Sequence, residues 1–184
     1  MIFVYAPAGF AAILAFAVAV AASVMFLRNK NLWFDALAVS ATEVGLGFLA
    51  VNLAAGVVWS YQTRAIWWTW DPAVASALVC GLVYASYLML RRAVEEPSQR
   101  ATFSAVWSIF CFIDAPLVAA AVYRWRALHP HRSLWADVAA VSQTALAATT
   151  AATLALAAVL LVLRLRQQNT RRQRESARRI AQAM

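Results

Sequence analysis

Residues 59–72 read Trp-Ser-Tyr-Gln-Thr-Arg-Ala-Ile-Trp-Trp-Thr-Trp-Asp-Pro and hold four of the chain's eight tryptophans. Trp67, Trp68 and Trp70 are followed at once by Asp71 and Pro72. An indole has a broad apolar face and one N–H donor, so it suits a place that is greasy at one end and wet at the other. Two readings follow. One is an aromatic belt at a membrane–water interface. The other is a platform that holds a flat hydrophobic ligand, with Trp59 beside it. Four tryptophans ending in a fixed Asp-Pro favour the ligand.

A second stretch carries complementary chemistry. Residues 123–137 contain Arg124, Trp125, Arg126, His129, His131, Arg132 and Trp135, and the chain's two histidines are both here. Arginine pairs with carboxylates through a forked geometry. A histidine here either ligates a metal or is an exposed loop residue; with no nearby Cys or acidic partner, the two make a poor closed metal site. Taken with the tryptophans, these residues suit a planar amphipathic anion with a metal centre, and haem fits. Its macrocycle would lie on indoles, its propionates would meet arginine, and histidine could reach the iron.

The composition says what must position these residues. The chain has 184 residues, 64% hydrophobic and 13% charged. A soluble domain is nearer half apolar and a quarter charged, so this is an integral membrane protein. Five apolar runs are long enough to cross a bilayer as helices: about 4–27, 36–59, 73–90, 103–122 and 138–163. Lipid offers no water to the backbone, so the fold class is an all-α bundle of about five transmembrane helices with two outer-face loops. No cleavage site precedes the first run, which is expected to stay as a spanning helix.

Lys and Arg set the expected orientation. Twelve lie at one set of helix ends and in the tail, and four at the other. The positive-inside rule then places the N-terminus and the loops 60–72 and 123–137 outside, with the tail in the cytoplasm. The same rule accounts for the net charge of +8 without nucleic acid. Residues 1–164 form the expected membrane domain. Residues 165–184 form a basic tail, read as a solvated helix or frayed end near anionic lipid headgroups. Cys80 and Cys111 lie inside apolar runs without CxxC spacing and read as small buried hydrophobes. No nucleophile–base pair, phosphate loop or metal cluster suggests an enzyme.

Polar residues at membrane depth are costly and by default face the bundle interior or a cavity. Glu43 and Asn52 fall in the second run and Asp114 in the fourth. Glu43 either faces inward or reaches water or a loop near the cytoplasmic end. Asp114, just before the kink expected at Pro116, reads as a partner for irregular backbone more than as a proton carrier. Gly45, Gly47 and Gly56 either let helices approach closely or leave room for a bulky ligand. The small residues of the fifth run predict tight packing against neighbours.

These motifs resemble cytochrome c maturation protein C, a haem-handling membrane family of cytochrome c biogenesis. Its tryptophan-rich motif, WGxWWxWD, is matched here by Trp67-Trp68-Thr69-Trp70-Asp71, with Arg64-Ala65 at the Trp-Gly position. Glu43-Val-Gly45 through Gly56-Val-Val-Trp59 looks like the family's second helix. Asp114-Ala-Pro116-Leu-Val118 through Arg124-Trp125-Arg126-Ala-Leu128-His129-Pro130 is similar to its DVPIVxxSVxWWRTLHP. The resemblance spans nearly all of residues 1–164. It implies a Trp-rich outer segment that binds haem and two axial histidines, whose positions here are Tyr5 and Ala119. A tyrosine phenolate can hold ferric haem, so Tyr5 is the candidate metal ligand.

The resulting expectation is a multi-pass protein of the bacterial inner membrane that binds and presents or exports b-type haem, transiently, on the periplasmic side. Trp59, Trp67, Trp68, Trp70 and Trp125 would supply the aromatic surface, and Asp71 would fix the loop or orient the ligand. Arg124 and Arg126, with Arg64, would meet propionates, and His129 is a further haem contact. Expected partners are ABC-type transporter subunits, a periplasmic haem chaperone and membrane lipids. The alternative is a divergent scaffold or assembly subunit that has lost haem ligation.

Overall fold

The structure is a computed structural model that describes residues 2–65, 67, 68, 70, 72–125 and 143–183. Side chains of residues 2, 63, 64, 72, 73, 114–125, 172 and 175–183 are not part of that description. The described residues form five helices and no strand: α1 (Ile2–Asn29), α2 (Leu32–Arg64), α3 (Pro72–Ala93), α4 (Pro97–Trp125) and α5 (Gln143–Ala183). The first four expected spans each lie in one of them; α5 holds 143–163 of the fifth, and residues 138–142 lie outside the described residues. Four, namely α1, α2, α3 and α5, carry described stretches long and apolar enough to cross a membrane. The expected span 103–122 lies within α4.

The core forms where α1 lies along α2. Ala8, Ala11, Ala12, Ala19 and Ala22 are buried down one stripe of α1, with Phe16 among them and Phe26 a turn beyond. Alanine stripes bring the two backbones close, which is how helices gain dispersion contacts in lipid. The Phe16 ring stacks on Tyr84 of α3 at 3.7 Å. It also covers Gly45 of α2, where a Cβ would stand 2.6 Å from the ring. Val44, Phe48, Leu49 and Cys111 complete the cluster. Gly47 has nothing within 4 Å of a built Cβ, so of the two readings for these glycines close approach holds at Gly45 and not at Gly47.

Short turns fix the order of the helices. Lys30 adopts a left-handed conformation, and its N–H bonds to Phe26 O at 2.7 Å. Asn31 then caps α2, its side chain accepting from Trp33 N at 2.9 Å. At the start of α4 the Glu96 carboxylate accepts from Gln99 N at 2.7 Å ahead of Pro97 in the first turn.

The end opposite the tryptophans is tied by charge. Arg91 of α3 donates to both oxygens of Asp35 of α2, at 2.6 and 2.9 Å, with side chains only 12% and 5% exposed. Glu43 of α2 faces α5, accepting from Gln168 Nε2 at 3.4 Å and pairing with Arg164 at 3.6 Å. It thus meets the last helix rather than a loop.

Helix α5 is continuous from the apolar run into the basic tail. Its 41 residues extend about 60 Å, twice the hydrocarbon thickness of a bilayer. It rests on α1 and α2 through a half-buried stripe that includes Thr149, Thr153, Leu154, Ala157 and Leu161. No residue of its apolar stretch is buried within the chain. Its packing is confined to that one stripe, where Leu154 and Ala157 lie against the core cluster. Leu156, Val159, Val162 and Leu163 on the opposite side face outward, as lipid-facing side chains do.

Candidate functional site

The tryptophan segment begins where α2 ends. Ala65 closes the helix in the left-handed region, φ 54°, and its N–H donates to Tyr61 O at 2.9 Å. This is the position that glycine usually fills at a helix C-terminus, because a Cβ there is crowded. The chain reverses at Ala65 and lays Trp67 back on Tyr61. The two rings stack with centroids 4.1 Å apart and planes at 21°. Trp68 and Trp70 form a second pair, edge to face at 5.7 Å. Trp67 is 62% exposed and Trp70 77%, an unusual display for the largest apolar side chain.

Tyr5 is held at the same end of the bundle by α2. Asn52 donates its amide to Tyr5 O at 2.8 Å. Gly9 makes room for that amide, since a Cβ at Gly9 would stand 2.9 Å from Asn52 Nδ2. The Tyr5 ring lies against Gly56, 3.2 Å from where its Cβ would be. Gly56 thus serves close approach, and Asn52, read as an inward polar group, has a specific partner.

Helix geometry sorts the aromatic residues into two flanks. Trp59 is half-buried and three residues beyond Gly56, so it shares the side of α2 that carries Tyr5. Tyr61 is five residues beyond Gly56, which turns it about 140° around the helix. The Tyr61–Trp67 stack therefore sits on a different flank from Tyr5. The structure brings Trp67 to Tyr61 and Trp68 to Trp70.

Other expected site residues lie at or beyond the edge of the description. Arg124 and Trp125 are the last residues of α4, with backbone alone described. Arg64 ends α2 in the same way. Asp71, Arg126 and His129 lie outside the described residues, as do the axial position Ala119 and Asp114 in their side chains. Among the described residues no group of three His, Cys, Asp or Glu could hold a metal ion.

Two participants were not anticipated. Tyr61 belongs to the aromatic surface; the signal was its place in Trp59-Ser-Tyr61, one turn before the helix stop. Asp35 is the buried partner of Arg91, and lies one residue before the second apolar run. In the sequence Arg91 reads only as a topological charge.

The fold and site define a class: a helical bundle long enough to span a membrane, with exposed tryptophans at one end and arginines at the other. The family model described as heme exporter protein C matches residues 1–180, and the chain belongs to that family. Heme exporter protein C of Paracoccus denitrificans is 30% identical over 135 residues, covering 73% of this chain and 56% of that protein. The protein of the same name from Bradyrhizobium diazoefficiens is 28% identical over 134 residues, 73% of this chain and 51% of its own. Cytochrome c biogenesis protein CcsA of Synechococcus sp. (strain WH7803) is 32% identical over 107 residues, 56% of this chain and 33% of its own. The chain spans about half the length of the heme exporter relatives it matches.

Proposed function

We propose that this chain handles haem for cytochrome c biogenesis, presenting or exporting it at the tryptophan end. The exposed pairs Tyr61–Trp67 and Trp68–Trp70 carry this reading. Four aromatic rings left in the open at one loop provide apolar faces for a porphyrin, as no folding demand of the bundle would. The names of the relatives, heme exporter and cytochrome c biogenesis protein, point the same way. Haem is cargo here, b-type and held transiently. Trp67, Trp68 and Trp70 stack on the macrocycle, with Trp59 and Trp125 flanking. Asp71 orients the loop. Arg64, Arg124 and Arg126 meet propionates, and His129 and Tyr5 are the candidate iron ligands.

The arginine end faces the cytoplasm and the tryptophan end the periplasm of a bacterial inner membrane. ABC-type transporter subunits supply or take up haem, and a periplasmic chaperone receives it.

A second reading is favoured by one observation. The Tyr5 ring is seated on Gly56 and its carbonyl is clamped by Asn52. A residue so placed can serve packing alone, in a scaffold subunit that no longer ligates haem. Hemin titration of the detergent-purified chain, followed by visible absorption beside Tyr5→Phe, separates the two. Haem handling predicts a saturable Soret band in the parent, and ligation by Tyr5 predicts its shift or weakening in the variant. No saturable band in the parent supports the scaffold.

A further inference from the structure

A half-open cavity of about 230 Å³ lies at the arginine end, remote from the tryptophans. Its wall combines four helices: Val39 and Glu43 from α2, Leu88, Arg91 and Arg92 from α3, Arg100 from α4, and Gln168 and Arg171 from α5. The charges are unequal. Arg91 is committed to Asp35 through two hydrogen bonds. The carboxylate of Glu43 accepts from Gln168 at 3.4 Å and pairs with Arg164 at 3.6 Å, its Oε2 making no hydrogen bond among the described residues. Arg92, Arg100 and Arg171 have no carboxylate within ion-pair distance among the described residues. Three guanidinium groups around one concavity repel each other and concentrate positive potential there.

We propose that this cavity binds a phosphate group through Arg92, Arg100 and Arg171. Guanidinium forks match phosphate oxygens, and three of them from three different helices can surround one tetrahedral anion. A bound phosphate anion also relieves their repulsion. The cavity sits where α3 ends, α4 begins and the apolar stretch of α5 gives way to its polar half, which is the depth of lipid headgroups. A phosphate there comes either from an anionic lipid or from free phosphate. Binding adds a clasp between α5 and the other helices beside the contacts that Gln168 and Arg164 make with Glu43.

The test uses the full chain in uncharged detergent, with thermal unfolding and titration as readouts. The probes are short-chain phosphatidylglycerol, diacylglycerol of equal chain length, and inorganic phosphate. Phosphatidylglycerol is expected to bind saturably and raise the unfolding midpoint, and diacylglycerol is not. The double variant Arg92→Gln/Arg171→Gln should weaken binding at least tenfold. Arg166→Gln/Arg174→Gln, which removes the same charge from exposed sites outside the cavity, should leave it unchanged. Arg100→Gln alone should lose at least threefold and stands in if the double variant does not fold. An equal response to inorganic phosphate identifies the free anion as the source, and a response to phosphatidylglycerol alone identifies the lipid. The proposal is overturned if neither phosphate probe saturates, or if both double variants lose binding equally.

Discussion

At the scale of single residues, the proposed chemistry falls to exposed aromatic side chains that the bundle does not need. Trp70 is 77% exposed and meets Trp68 edge to face. Replacing it with Ala should leave the thermal stability of the chain within about 0.5 kcal/mol, since surface substitutions away from packed features cost little, while hemin binding weakens severalfold. Titration of the variant beside the parent checks both. Tyr61 belongs to this surface as well. Tyr61→Ala should remove the support under Trp67 and raise the accessibility of that indole to an aqueous fluorescence quencher. The tryptophans were legible in the sequence because indoles beside an Asp-Pro are conspicuous. Tyr61 was not, because a tyrosine at a helix end is ordinary until the chain reverses and lays another ring on it.

At the scale of helices, the turns and crossings depend on a few local devices. Ala65 occupies a left-handed position, φ 54°, where the family motif has glycine. Relief of Cβ crowding outweighs the extra freedom glycine gains when unfolded, so Ala65→Gly should stabilise the chain by about 0.5–1 kcal/mol. Gly45→Ala should do the reverse. The new methyl would meet the Phe16 ring at 2.6 Å, and Phe16 is itself pinned on Tyr84. Overpacking of that kind costs about 1–3 kcal/mol. The Asp35–Arg91 pair is more demanding: Asp35→Ala leaves a buried guanidinium without its partner and should cost about 3–5 kcal/mol. Denaturant titration in mixed micelles measures all three.

The helices themselves were plain from hydropathy, since apolar runs of spanning length admit one backbone solution in lipid. Their partners were not. Small residues in the fifth run suggested tight packing, yet α5 lies on the surface of α1 and α2, because alanine and threonine also serve a helix that faces lipid. Nor does hydropathy reveal that Glu43 would find its partners in Arg164 and Gln168, more than a hundred residues away.

For the whole molecule, one end is aromatic and the other cationic, and α5 carries the cationic end well beyond the bundle. Positive-inside orientation predicts which end is reached from outside the cell. In a background with Cys80 and Cys111 replaced by Ala, Gln62→Cys should react with an impermeant maleimide on intact cells, and Gln173→Cys only after lysis. The reverse pattern would invert the topology. The polarity also separates the two proposed sites, haem at the tryptophan end and phosphate at the arginine end. Substitutions in one should not alter binding at the other beyond about twofold, as expected for sites without shared partners.

The most direct measurement is hemin titration of the purified chain beside Trp67→Ala/Trp68→Ala, with helix content followed by circular dichroism. Haem handling at the tryptophan end predicts saturable binding by the parent and at least tenfold weaker binding by the double variant, at unchanged helix content. Equal hemin affinity in the two folded proteins would contradict it.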